Sequence, residues 1–297
     1  MTPSFTSKAR LLLISTVTVA VAALTGCNRD REDAGTPRPT ATASATVTTR
    51  DAAAPMGFES KTPWAEVKLT LPEAIKPQTD LHARLYAEEV RRLRQFSEGA
   101  QGERTEAGND VNMPPYAKDI AITAAAETAK LLSLKRIDYD FSGGAHPNTL
   151  MAGLLWDKAM KRQIGLTDLL QKGADFRVMD QALCSAVNAA KRVRVPDSSG
   201  ITLDGKDWSC PRVRDTAFVL TPGSVSGKAA GLTFLIGPYL VGPYAEGAYE
   251  IALPLTVFRS MLAPAYLGEF GGQLAKAGDL TPIAAPLPAA AAVGSAR

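Results

Sequence analysis

An α+β fold, with a mainly antiparallel sheet covered on one face by two long helices, is predicted by three features of the chain. Runs that alternate apolar and polar side chains recur, as in Val67, Leu69 and Leu71 or Ile120, Ile122, Ala124 and Ala126, which is the period of a half-buried strand. Two longer stretches, near 80–96 and 174–191, instead carry apolar residues at helical spacing. Most of the alternating runs are joined by short, turn-rich links, and strands grouped in this way favour antiparallel pairing. The folded region so outlined spans 61–270, about 200 residues and long enough for a substantial core.

Taken in order, the first strand ends at Pro72. The first helix follows from Asp80 to Phe96, with Leu81, Leu85, Val90, Leu93 and Phe96 as its apolar stripe and Arg and Glu on the wet face. The polar, Gly-bearing stretch Gln101–Met113 reads as a loop. Strands are expected at Ile120–Ala126, Leu134–Phe141 and Thr149–Trp156, with a polar turn at Asp157–Arg162 closing a hairpin to Gln163–Leu166. The second helix, Ala174–Lys191, places Phe176, Met179, Leu183, Ala186 and Ala190 on one side. Ala217–Leu220 and Leu232–Ile236 read as paired strands joined through Pro222-Gly223-Ser224. A last strand at Ala248–Leu253 leads through Pro254 into a short closing helix over Leu255–Leu262.

Ahead of the domain, Lys8 and Arg10 precede an uncharged run from Leu11 to Leu24, about 14 residues and too short to span a bilayer. Leu24-Thr25-Gly26-Cys27 closes it and resembles the bacterial lipobox, whose Cys is acylated and becomes the first mature residue. Residues 1–26 are therefore expected to be a lipoprotein signal peptide, and Cys27 to hold the chain to a membrane through a lipid anchor. Asn28 follows, where an Asp would signal retention in the inner membrane, so the expected location is the periplasmic side of the envelope, at the outer membrane. Residues 27–60, rich in Thr, Ala, Pro and Asp, read as a disordered tether; 271–297 read as a disordered Ala/Pro-rich tail.

Removing 1–26 takes away Lys8 and Arg10 and no acidic residue, so the net charge falls from +3 to +1. Such a chain has no electrostatic footprint for nucleic acid. The basic cluster Lys191-Arg192-Val193-Arg194 reads as a solvated helix end. With Cys27 used by lipid, Cys184 and Cys210 are left in an oxidising compartment, where an even pair points to a disulfide worth about 3–4 kcal/mol; free buried thiols are the alternative. The chain has no CxxC and only His82 and His146, so no metal site is expected, and no cofactor fingerprint is present.

Two segments could carry chemistry. Ser142-Gly143-Gly144-Ala145-His146-Pro147-Asn148 pairs two glycines, which allow positive φ and close backbone approach, with a histidine able to bond or to exchange a proton. The plainer reading is a tight turn whose histidine caps backbone carbonyls. Gly237-Pro238-Tyr239 and Gly242-Pro243-Tyr244 then repeat a stiff motif that presents rings, suited to protein or glycan contact, or else packed under the loop. Gly223-Ser224-Val225-Ser226-Gly227 fails as a nucleophile elbow, because its central residue is Val225.

These segments together resemble the extracytoplasmic domain shared by the lysozyme-sensing anti-sigma factor RsiV and the peptidoglycan deacetylase PdaC. That family has a tyrosine strand followed by GGAH, matched here by Ile137-Asp138-Tyr139-Asp140-Phe141-Ser142-Gly143-Gly144-Ala145-His146. An L-x-D-L segment then matches Leu166-Thr167-Asp168-Leu169, and a late P-Y-A-x-G loop matches Pro243-Tyr244-Ala245-Glu246-Gly247. Pro147 stands where the family has Gly, and Leu170 where it has Phe. The resemblance spans 64–265 and implies an α+β envelope domain that binds a lysozyme in one branch and accompanies a cell-wall enzyme in another.

Residues and resemblance together lead to an expected non-catalytic module for a cell-wall-related protein or glycan, such as a lysozyme-type muramidase or a peptidoglycan fragment. Its expected contact residues are Gly143, Gly144, His146, Tyr239 and Tyr244. The competing expectation is an envelope hydrolase using His146 with Asp140 or Asp168, which requires those side chains within hydrogen-bond reach.

Overall fold

A computed structural model describes residues 54–108, 114–144 and 146–282. The predicted signal peptide, Cys27 and the rest of the segment up to Ala53 lie outside them, as do Ala145 and the chain after Pro282. Among the described residues ten strands form two sheets. The larger runs β1 (Gly57–Lys61), β2 (Ala65–Thr70), β3 (Tyr116–Glu127), β4 (Leu131–Phe141), β5 (Asn148–Asp157) and β6 (Arg162–Ile164) in that spatial order, with every pair antiparallel except β2–β3. The parallel step is bridged by α1 (Thr79–Glu106), as a crossover must be. The smaller sheet holds β7 (Ala217–Pro222), β8 (Ala229–Ile236), β9 (Tyr249–Pro254) and β10 (Gly278–Asp279) in the order β10-β9-β8-β7.

The predicted α+β class and the largely antiparallel main sheet are therefore present. The strands divide between two sheets, however, and each long helix has its own. Helix α1 lies against β2 and β3, while α3 (Arg177–Arg194), which follows the one-turn α2 (Leu166–Leu169), lies against β9 and β10. Two cores result. Leu81, Leu85, Val90 and Leu93 of α1 close on Val67, Leu69, Ile120, Ile122, Leu132 and Leu134. Met179, Leu183 and Val187 of α3 close on Leu220, Leu232, Phe234, Ile251 and Leu253. Strand β8 is buried along its whole length, flanked by β7 and β9 and touched by β5 of the main sheet.

Helix α1 runs past the predicted stop at Phe96 and takes in part of the expected loop. Gly99 and Gly102 lower its propensity by about 1 kcal/mol each. Arg104 compensates by reaching out of the last turn to the carbonyl of Pro114 at 2.6 Å, and Gly108, at φ +86°, ends the helix. The closing helix expected over 255–262 is two separate 3₁₀ turns, Leu255–Val257 and Arg259–Met261.

Order extends beyond both predicted limits. Gly57–Lys61 pairs with β2 and packs Phe58 onto the first core, so ordered structure begins by residue 57 rather than at 61. At the other end, β10 pairs Asp279 with Ile251, so ordered structure reaches well past 270. In both places a ladder neighbour supplies hydrogen bonds that composition alone does not reveal. Cys184 on α3 and Cys210 in the following loop form the expected disulfide, with Cα atoms 5.1 Å apart. Among the described residues no helix is long and apolar enough to cross a membrane.

The two sheets meet where β7 crosses β3, β4 and β5. The Leu220 amide donates to Ser133 Oγ at 2.9 Å there, and a Cβ at Gly153 would stand 1.8 Å from the Phe218 carbonyl oxygen. Only a residue without a side chain lets these backbones touch. Gly153→Ala should therefore destabilise the domain by about 1–3 kcal/mol or more, read as a lowered denaturant midpoint with an unchanged slope.

Candidate functional site

The β4–β5 turn and the β8–β9 connection sit side by side at one end of the molecule. In the turn, Gly143 and Gly144 adopt φ of +90° and +95°, which lets the chain fold back before His146. In the connection, Tyr239 itself has φ +66°, a rare and costly conformation for a bulky residue. The imidazole of His146 then meets two phenols. It stacks on Tyr244 with ring centres 3.8 Å apart and planes 13° from parallel, and Tyr239 leans in with its ring centre 5.5 Å from that of Tyr244.

Hydrogen bonds complete the cluster. His146 Nδ1 lies 3.1 Å from the Pro147 carbonyl, which can only accept, so Nδ1 carries the proton and donates. In the neutral ring Nε2 is then the acceptor, receiving the Tyr239 hydroxyl at 3.1 Å. The Tyr244 hydroxyl also donates to the Pro147 carbonyl, at 2.9 Å. The structure thus brings together all the expected contact residues, with Gly143 and Gly144 shaping the turn beneath. Tyr239 and its neighbour Leu240 remain 51% and 58% exposed.

The hydrolase pairing is not formed. Both ring nitrogens of His146 are engaged as above. Asp140 is bound to Lys118 at 2.8 Å, and Asp168 accepts from the Gly165 amide at 2.8 Å and from Arg162 at 3.3 Å. Burial alone would lower the Lys118 ammonium, but Asp140 and Asp138 outweigh it and raise its pKa. That geometry is structural, tying β3 to β4.

Under the Tyr loop lies a polar anchor built by Lys191 and Arg194; of the helix end expected to be solvated at 191–194, only Arg192 and Val193 are exposed. Lys191 is buried and donates to both carboxylate oxygens of Glu246, at 2.9 and 2.6 Å, and to the Val241 carbonyl at 2.7 Å. The Tyr249 hydroxyl donates to the same carboxylate at 2.8 Å; burial and that carboxylate push its pKa up. One turn on, Arg194 donates to the carbonyls of Glu246 and Ala248 and lies 3.8 Å over the Tyr249 ring. It also grips Asp279 at 2.7 Å, pinning β10. A Cβ at Gly242 would meet the Glu246 carboxylate at 2.4 Å, so a larger residue there would push that carboxylate off Lys191. A signal for the anchor was present in the sequence, because Met179, Leu183, Val187 and Lys191 follow one another at intervals of four along the inward face of α3.

Residues 58–149 match the family model described as Deacetylase PdaC. This part of the chain is PdaC-like. The match begins in β1 and stops at the start of β5, so it includes the glycine turn and His146. Tyr239, Tyr244 and the anchor beneath them belong to the part of the chain after the PdaC-like stretch. Among solved structures, the chain is similar to a DUF3298 family protein of Pseudomonas aeruginosa PAO1 (16% identity, 73% of this chain and 94% of that one, TM-score 0.47). It is likewise similar to a DUF3298 family member of Bacteroides fragilis NCTC 9343 (16% identity, 72% and 94%, TM-score 0.47). No curated protein matches the sequence.

Two outcomes follow from the anchor. Lys191→Met leaves the Glu246 carboxylate buried without its cation and should cost about 3–5 kcal/mol of stability, whereas changing both to apolar residues of similar size should cost less. Asp279 titrates with a definite sign. Burial would raise its pKa, but the Thr281 hydroxyl and amide and the Arg194 guanidinium outweigh it and hold it below the ordinary 3.8. A depressed carboxylate stabilises above its unfolded pKa and loses that contribution as pH falls through its folded value. Asp279→Asn should therefore lower the melting temperature at neutral pH, with the gap to the parent closing as pH falls below 3.8.

Proposed function

We propose that this protein is a lipid-anchored, non-catalytic binding module of the cell envelope, facing the periplasm, for a cell-wall-related protein or glycan. A lysozyme-type muramidase is the specific partner proposed for the aromatic cluster. The observation that carries the reading is the state of Tyr239, held at a strained φ by the His146 bond and still half exposed beside Leu240. Rigid aromatic rings that need no further ordering are the usual anchors of protein contacts, and backbone strain is kept where a site over-determines it.

Other features support the setting. The leader and Cys27 fit an exported lipoprotein, and a Cys184–Cys210 disulfide suits an oxidising compartment. The PdaC-like stretch fits a cell-wall context. A long Thr-, Ala- and Pro-rich segment between Cys27 and β1 would let an anchored domain search for its partner.

Tyr244→Ala should weaken muramidase binding by at least about 1 kcal/mol, roughly fivefold, while melting and circular dichroism stay those of a folded domain. Equal affinity of parent and variant, or no muramidase binding by the parent, would count against the contact surface. Cys27→Ser should abolish incorporation of labelled palmitate and release the protein from the membrane fraction. A parent chain that takes up no label would remove the anchor from the proposal.

A further inference from the structure

One face of the larger sheet carries α1, and β7 crosses part of the other. The remainder of that second face, on β1 to β4, is left open among the described residues. Register places a single row across it, with Glu59 opposite Lys68, Lys68 beside Asp119, and Asp119 opposite Tyr139. Lys61 and Glu66 form the next row. Alternate residues of a strand share a face, so these side chains together wall a groove of about 620 Å³, within the range of small-ligand sites.

The groove is polar but incompletely satisfied. Lys61 is paired with Glu66 at 3.4 Å. Lys68, Asp119 and Tyr139 make no side-chain hydrogen bond or ion pair among the described residues. Asp119 Oδ1 is closed off from solvent and accepts nothing, an arrangement that native proteins seldom keep without a purpose. Tyr139 shows its ring to solvent at 39% exposure.

We infer that this groove binds a neutral saccharide, with a sugar ring on Tyr139 and its hydroxyls bonded by Lys68, Asp119 and Glu59. A hydroxyl both donates and accepts, so a polyol answers a donor-only ammonium and an acceptor-only carboxylate in one plane. The C–H face of a sugar ring covers the apolar face of a phenol. Competing occupants fit the charges less well. Lys118 also lines the groove but is already held by Asp138 and Asp140, and the remaining five charges, Glu59, Glu66 and Asp119 against Lys61 and Lys68, sum to a net negative, which disfavours polyanions. An apolar peptide would strip water from five charges and return no hydrogen bonds. The inference deepens the glycan side of the proposed function, rests on that reading, and uses residues separate from the aromatic cluster.

The test titrates full-length protein in detergent with two neutral probes, a β-1,4-linked N-acetylglucosamine trimer and maltotriose, and with a sulfated trimer, followed by saturation-transfer NMR and calorimetry. At least one neutral probe should bind with a dissociation constant on the order of 0.1–1 mM. Tyr139→Ala and Lys68→Ala should each weaken it about tenfold or more. Lys68→Ala is the safer variant for folding, because that side chain is exposed. Tyr244→Ala should leave saccharide binding unchanged, and Lys68→Ala should leave muramidase binding unchanged, so failure of one site is distinguishable from failure of the other. No signal from either neutral probe up to about 10 mM would overturn the inference. So would tighter binding of the sulfated trimer, or a saccharide response indifferent to Lys68 and Tyr139.

Discussion

The bond between Lys191 and Glu246 is the constraint on which the candidate contact surface depends. It joins the last turn of α3 to the loop that carries Tyr244, with side chains only 3% and 8% exposed. A pair so deeply buried gains little net stability over apolar residues of the same shape, because both charges are stripped of water. It does specify geometry, since the carboxylate is satisfied only when Lys191 and the Tyr249 hydroxyl both reach it. Gly242 supplies the space for that carboxylate. The loop above is thereby held in one shape, and Tyr239 can occupy a conformation that a looser loop would relax.

Position in the fold explains why the aromatic cluster forms at this end of the molecule. The β4–β5 turn belongs to the main sheet, and the Tyr loop belongs to the small one. The cluster of His146, Tyr239 and Tyr244 therefore forms only where the two sheets dock, and the docking is tight because Gly153 admits the Phe218 carbonyl. The same division leaves part of the main sheet open. Its polar row stands on an uncovered face because β7 crosses only one end of the strands.

Several elements were legible in the sequence because their determinants are local. The stripe of α1, the alternation of β2 and the glycine turn before His146 each follow from residue type and spacing. The extension of α1 to Glu106 was not legible, because its support is a bond from Arg104 to a carbonyl ten residues away. The edge strands β1 and β10 were missed for a similar reason, since each is short and depends on its ladder neighbour. Lys191 was misread as solvated although it lies on the inward stripe of α3. A lysine in a basic run suggests water, and its partner Glu246 lies 55 residues further on.

By itself the sequence determined the α+β class, the pairing of Cys184 with Cys210, and the two segments that meet at the candidate site. These rest on periodicity, composition and turn chemistry, which act over a few residues at a time, or on counting. The tertiary structure alone decided that the strands split into two sheets, that His146 engages two tyrosines rather than a carboxylate, and that a row from Glu59 to Tyr139 stands open. Those outcomes depend on which distant strands pair and in what register. Register is set by how whole faces bury against one another, a property that no single segment contains.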